Sequence, residues 1–165
     1  GPEAIGRVGA SGLAPLGAVL SFLRREGEAP YTAVMKSAGR YSAEWHFTEC
    51  GVGPRGARWL PKRLRRRMAL GRVRALLSAA YQPLVVKTAV ARGRGTVTVT
   101  GNVFCTLRDG WPWPTCAYLS EAIARHLELY GLAADVRIAS CCARREPACT
   151  YAVHFDAAPV SETTP

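Results

Sequence analysis

The feature that most constrains this fold is a change of period after Pro83. Up to that point apolar residues recur at helical spacing, whereas Val97 and Val99 alternate with Thr96, Thr98 and Thr100 at the two-residue period of a half-buried strand. Arg92-Gly93-Arg94-Gly95 supplies a turn between this strand and the run Leu84 to Ala91, so the two runs predict a β-hairpin. Upstream lie three helical stretches. Leu13, Leu16, Leu20 and Leu23 mark the first. Thr32 can cap a second, with Val34, Ala38, Tyr41 and Trp45 as its stripe, ending near Glu49 before a Gly51 to Gly56 loop. Pro61 suits the first turn of a third, which carries Leu64, Met68, Leu76 and Leu77 and can divide at Gly71.

Downstream of the hairpin the chain runs from Asn102 to Leu107, turns at Asp109-Gly110 and reaches Trp111-Pro112-Trp113-Pro114, where proline bars helix and regular strand pairing alike. Thr115 can cap a fourth helix whose buried face reads Cys116, Leu119, Ile123, Leu127 and Tyr130, with Gly131 as its stop. Strands Asp135 to Cys141 and Cys149 to Phe155 close the order. Three helices, a hairpin, a helix and a second hairpin predict an α+β fold, a two-layer sandwich of helices on an antiparallel sheet.

The length, 165 residues with 48% hydrophobic content, suits one core. The expected division is a start of residues 1–12, flexible and opening on Gly1-Pro2 as a tag remnant, a single domain over 13–156, and a disordered tail over 157–165. No apolar run approaches the 18 or so residues of a membrane span, and no basic-then-apolar leader opens the chain, so a cytoplasmic protein is expected.

Charge is unevenly distributed. Between Glu49 and Asp109 there are thirteen Lys and Arg and no acidic residue, on a chain of net charge +10. Nine of them fall between Arg55 and Arg74, more than solubility requires, so an anionic group or an acidic protein is expected at this segment, with Arg63, Arg66 and Arg67 as contacts. Nucleic acid fits less well, since neither interleaved aromatics nor a recognition-helix pattern is present.

Six cysteines are many for a reduced compartment, and the chain is large for a disulfide scaffold, which brings metal binding or reactive thiols forward. Cys50 and Cys105 read as small buried hydrophobes. Cys141 and Cys149 flank seven residues at the final hairpin turn, and Cys116 opens the preceding helix, so three thiolates can meet at one metal. Catalysis finds little support. His46, His126 and His154 are scattered, His126 reads as a packed or rim histidine, and Gly93 and Gly95 belong to a turn rather than a nucleotide loop.

Four segments, Ser37 to Glu44, Gly101 to Cys105, Pro114 to Leu119 and Cys141 to Tyr151, resemble in register the 4-vinyl-reductase domain family, above all its bacteriochlorophyll 4-vinyl-reductase-like branch. That family is similar in fold to TRAPP small subunits and to the sensory domains of aromatic-responsive activators. The resemblance implies a cytoplasmic, non-catalytic carrier or sensor with a pocket for a hydrophobic small molecule, aromatic or tetrapyrrole. Trp45, Tyr41, Trp111, Trp113, Tyr118, Ile123 and Leu127 are the expected lining. It also implies a zinc ion held by three cysteines and a glutamate. Cys116, Cys141 and Cys149 match the cysteines, but Ile138 stands where the glutamate would be. Cys142, another side chain or water would then complete the set, or the thiols are free. Two alternatives accompany this reading: a homodimeric scaffold with a vestigial pocket, and an accessory subunit of a (bacterio)chlorophyll vinyl reductase.

Overall fold

A computed structural model describes residues 17–49, 59–80, 84–91, 93–105 and 112–155. Leu13, Leu16, Cys50, Arg55, Arg58, the Gly51 to Gly56 loop, the Asp109-Gly110 turn, Trp111 and the tail lie outside them. Among the described residues there are four α-helices and one four-stranded sheet: α1 (residues 17–25), α2 (Glu28–Glu49), α3 (Lys62–Ala80), β1 (Val85–Ala91), β2 (Arg94–Thr100), α4 (Ala117–Leu129), β3 (Ala134–Ser140) and β4 (Cys149–Phe155). The strand order is β1-β2-β4-β3, antiparallel throughout, so the two hairpins join at the centre through β2 and β4. This is the α+β sandwich that the change of period predicts.

Alternation sets the inner face. Val97 and Val99 on β2 and Cys149, Tyr151 and Val153 on β4 are fully buried, while Thr96 and Thr100 on the opposite face of β2 are exposed and Thr98 between the valines is half-buried. Leu70, Val73 and Leu77 of α3 and Leu119, Ile123 and Leu127 of α4 join them in one core, each large aliphatic stabilising the fold by about 1.5–3 kcal/mol. Gly95 allows α3 to settle on the sheet, because a Cβ there would stand 2.6 Å from Leu70 Cδ1 and 3.1 Å from Val153 Cβ. It lies within β2, so the turn is tighter than Arg92 to Gly95, with Ala91 opposite Arg94.

The α4 stripe is buried as its period predicts. Its end is a Schellman closure, in which left-handed Gly131 (φ 67°) donates to Glu128 O at 2.8 Å and Leu132 to Leu127 O at 3.0 Å. Thr115 does not cap this helix. Its hydroxyl lies 2.9 Å from the Phe104 carbonyl, and Cys116 holds the N-cap position with no side-chain capping bond.

α2 departs further from expectation. It starts at Glu28, four residues before Thr32, with Pro30 in its first turn, where a missing N–H costs nothing. Its buried face is Tyr31, Met35, Gly39 and Ala43, whereas Val34, Tyr41 and Trp45 of the expected stripe are 45%, 71% and 63% exposed. Small residues win that face because α2 lies directly on α4, with Gly39 against the Tyr118 and Ala122 backbone. Ion pairs from Arg40 to Glu121 (2.8 Å) and from Arg125 to Glu44 (2.7 Å) clasp the same two helices. α3 runs unbroken through Gly71, an exposed position, and Leu64 on it is exposed. No helix among the described residues is long and apolar enough to cross a membrane.

Candidate metal centre and ligand cleft

Four sulfurs converge at the end of the core where the β2–α4 connection, the α4 N-terminus and the β3–β4 turn meet. The Sγ atoms of Cys105, Cys116, Cys141 and Cys149 all lie within 4.8 Å of one another, and all four residues are buried. Cys116 stands 3.2 Å from Cys141, and Cys105 stands 3.5 Å from both Cys141 and Cys149. These separations exceed a disulfide bond of about 2.05 Å by more than an ångström, and all four are free thiols. Four sulfurs at 2.3 Å from a tetrahedral zinc would be about 3.8 Å apart, so the donor set fits such an ion in number, chemistry and spacing.

The local fold explains the meeting. Cys149 pairs with Val99 at the end of β2, and from there a 3-10 turn, Val103–Cys105, folds Cys105 back over it. Asn102, almost fully buried, holds this turn: its Oδ1 accepts from the Phe104 N–H at 3.1 Å, while its Nδ2 reaches Cys105 Sγ at 3.3 Å and Cys149 Sγ at 3.4 Å. A second 3-10 turn, Cys142–Arg144, begins right after Cys141. Its first N–H points to Cys149 Sγ at 3.4 Å. Arg145 closes it in the left-handed region (φ 66°).

The four thiols ionise as a unit. Cys141 is driven far down by hydrogen bonds with Cys105, Cys116 and Cys149, and Cys149 is pushed down to about 6 by Cys105 and Cys116. Cys116 is driven up by its bonds to Cys105, Cys141 and Cys149. At Cys105 the neighbouring Cys116 pulls downward, but bonds to Cys141 and Cys149 and burial prevail and raise it. Cys142 stands beside the group rather than in it, half-buried, and burial pushes its thiol up to about 11.

A buried cation accompanies the sulfurs. Arg24, 2% exposed, donates from Nη2 to the Phe104 carbonyl and lies 5.6 Å from the Tyr31 ring centroid. Tyr31 in turn donates to Thr115 O at 2.7 Å, and burial lifts its hydroxyl to about 12. Both tie α1 and α2 to the residues flanking Cys105 and Cys116. The Tyr151 hydroxyl is buried beside Cys116, and burial together with Cys116 and Cys149 raises its pKa well above the usual value.

A separate cleft of about 360 Å³ opens between α2, α3 and α4, lined by Ser42, Trp45, His46, Glu49, Leu76, Leu77, Tyr118 and Ala122. Within it Tyr118 donates to Ser42 Oγ at 2.8 Å, and burial lowers the His46 pKa. Of the residues expected to line a pocket, Trp45 and Tyr118 are here. Tyr41 projects into solvent, Ile123 and Leu127 are sealed in the core, and Trp113 is half-buried outside this lining. Among the described residues its lining comes from helices and not from the sheet. Arg63, Arg66 and Arg67 share a groove elsewhere, beside Val90 and Gly93.

Several solved structures share this fold, among them the following three. A trafficking protein particle complex subunit 3 from Naegleria fowleri, covalently bound to palmitic acid, aligns over 88% of this chain and 93% of its own at 11% identity, with a TM-score of 0.63. The phenol-responsive sensory domain of the transcription activator PoxR, with phenol, aligns over 86% and 73% at 16% identity and 0.53. An H-NOX protein from S. oneidensis in the Fe(II)NO ligation state aligns over 81% and 69% at 6% identity and 0.51. No protein-family model and no curated protein sequence matches the chain. The likeness is one of fold: the chain has the α+β architecture found in these three proteins.

Proposed function

We propose that this chain is a small-molecule-binding domain, a sensor or carrier, whose cleft is held in shape by a structural zinc on Cys105, Cys116, Cys141 and Cys149. The observation that carries the reading is the closed set of four buried sulfurs beside a helix that also floors the cleft. Cys116 precedes Tyr118 by two residues, so tying down the start of α4 orients Tyr118 and Ala122. With all four positions taken by protein the centre is structural, and zinc would supply folding energy rather than a reactive water. Asn102 and the Cys142 N–H suit it, since both donate toward thiolates and so stabilise their charge.

The ligand class follows from the cleft. Its walls are mainly apolar, with a Ser42 and Tyr118 hydroxyl pair as a fixed polar point, and about 360 Å³ lies at the small end of ligand sites, which run from about 300 to 1,000 Å³. A small aromatic or a short acyl chain fits better than the tetrapyrrole that the 4-vinyl-reductase resemblance implies. Two of the fold neighbours carry phenol and palmitate. A reductase role would need an electron donor from elsewhere, because the sequence holds no cofactor motif.

Titration with phenol and with octanoate, followed by tryptophan fluorescence, tests the reading. Saturable quenching that disappears in Trp45→Phe and weakens in Ser42→Leu, which fills the cleft and removes the hydroxyl partner of Tyr118, is the expected result. Absence of saturable change with either compound, in protein carrying no co-purified organic mass, would sink it.

One observation favours a second reading. Val34, Ala38, Tyr41 and Trp45 form an apolar stripe along α2 that faces solvent, as a helix-to-helix homodimer would require. Light scattering reads it directly, with a dimer that dissociates in Tyr41→Glu supporting it and a monomer at high concentration excluding it.

A further inference from the structure

We propose that Cys142 is an oxidation site, the thiol through which a hydroperoxide reaches the four-cysteine centre and closes a Cys142–Cys149 disulfide that expels the metal. This rests on the zinc reading of the centre and gives a role to a sulfur that the reading leaves over. A tetrahedral zinc on Cys105, Cys116, Cys141 and Cys149 has no place for a fifth ligand, so Cys142 keeps an uncoordinated thiol. Among the described cysteines it is also the one that solvent reaches, since the four donors are buried and Cys142 is half-buried. Access from solvent and a second sulfur alongside are what make a cysteine reversibly oxidisable.

The fold selects the partner. The Cys142 N–H lies 3.4 Å from Cys149 Sγ, and Cys149 acts on the Cys142 thiol more than any other side chain does. Chain geometry sets Cys141 aside, because adjacent Cα atoms stand about 3.8 Å apart whereas a disulfide spans about 4.4–6.8 Å between them. β3 ends at Ser140 and β4 begins at Cys149, so Cys142 sits on the 3-10 turn between them. No ladder bond holds it, and its side chain can swing toward Cys149 without breaking strand pairing.

The chemistry closes in two steps. The Cys142 sulfur attacks one peroxide oxygen, the O–O bond breaks, and the departing oxygen takes the thiol proton, leaving water and a sulfenic acid on Cys142. The Cys149 thiolate then leaves the zinc and attacks the Cys142 sulfur. An S–S bond forms, the S–O bond breaks, and hydroxide departs to become water with a proton from solvent. The two sulfurs together lose two electrons to the peroxide, and zinc keeps its charge. With three sulfurs left the site is no longer closed, and its hold on the start of α4 is lost. Burial keeps the Cys142 thiol protonated at rest, so the first step is slow and calls for millimolar peroxide.

Zinc-loaded full chain is treated with hydrogen peroxide, and zinc release is followed with a chromophoric chelator in wild type, Cys142→Ser and Cys142→Ala. Non-reducing peptide mass spectrometry maps the bond, and dimedone added with the peroxide traps sulfenic acid. The expected result is equal starting zinc in all three and release from wild type at least about tenfold faster than from either variant. Wild type should carry a Cys142–Cys149 disulfide, take dimedone on Cys142, and bind zinc again after dithiothreitol. Equal release rates, or a disulfide among the four donors without Cys142, overturns the proposal and leaves the zinc reading standing. Wild type that takes up no zinc under anaerobic conditions overturns the zinc reading itself, and this proposal with it.

Discussion

Gly39 on α2 meets the main chain of Tyr118 on α4 without room for a side chain. A Cβ at residue 39 would run into the Tyr118 carbonyl oxygen and stand 3.1 Å from Ala122 N. Neither obstacle is a flexible side-chain end, so relief requires the helices to part. Gly39→Ala is therefore expected to destabilise the fold by about 1–3 kcal/mol despite the better helix propensity of alanine. Thermal unfolding checks it, with a fall of several degrees in Tm expected and an unchanged or raised Tm contrary to it.

His126 predicts a pH dependence. It is almost fully buried, and burial holds its pKa down to about 4, with smaller downward pushes from His46 and Arg72 and an upward one from the Ala69 backbone. The folded state thus keeps a neutral imidazole, whereas the unfolded chain protonates near pH 6.5. The contribution is complete above about pH 6.5 and is lost as pH falls toward 4, up to about 3 kcal/mol. Urea midpoints for wild type and His126→Leu across that range check it. The gap between the two curves should shift in favour of the variant on acidification, and a constant gap would count against a neutral buried histidine.

Asn102 predicts a link between packing and metal affinity. Its amide spans Cys105 and Cys149 while its carbonyl holds the Phe104 N–H, so truncation leaves that buried N–H without its acceptor and both sulfurs without a donor. Asn102→Ala is expected to weaken zinc about 10- to 100-fold and to cost about 1–3 kcal/mol. Competition with a chromophoric chelator measures the first and denaturant unfolding of the metal-free protein the second; wild-type affinity in the variant would remove Asn102 from the account.

These residues also mark how far sequence reasoning reaches. The α4 face was legible because bulky apolar residues carry it at strict helical spacing, and β2 because valine and threonine alternate. The α2 face was not, since helix contact selected Gly39 and Ala43 for size, which leaves no hydrophobic signal, while the stripe that does carry one faces outward. Cys116, Cys141 and Cys149 could be grouped from the hairpin and the start of a helix. Cys105 could not, because what brings it in is a 3-10 turn fixed by Asn102, a long-range polar contact. Two signals were nonetheless available: the need for a fourth ligand once Ile138 replaced glutamate, and a cysteine within a few residues of a strand end.

The most direct test of the account is the zinc content of the purified protein, measured by elemental analysis on wild type, Cys105→Ser and Cys142→Ser. The account predicts about one zinc per chain in wild type and in Cys142→Ser, and loss or marked weakening in Cys105→Ser. Zinc retained without Cys105 but lost without Cys142, or wild-type protein with four titratable buried thiols and no metal under anaerobic purification in zinc-supplemented medium, would contradict it.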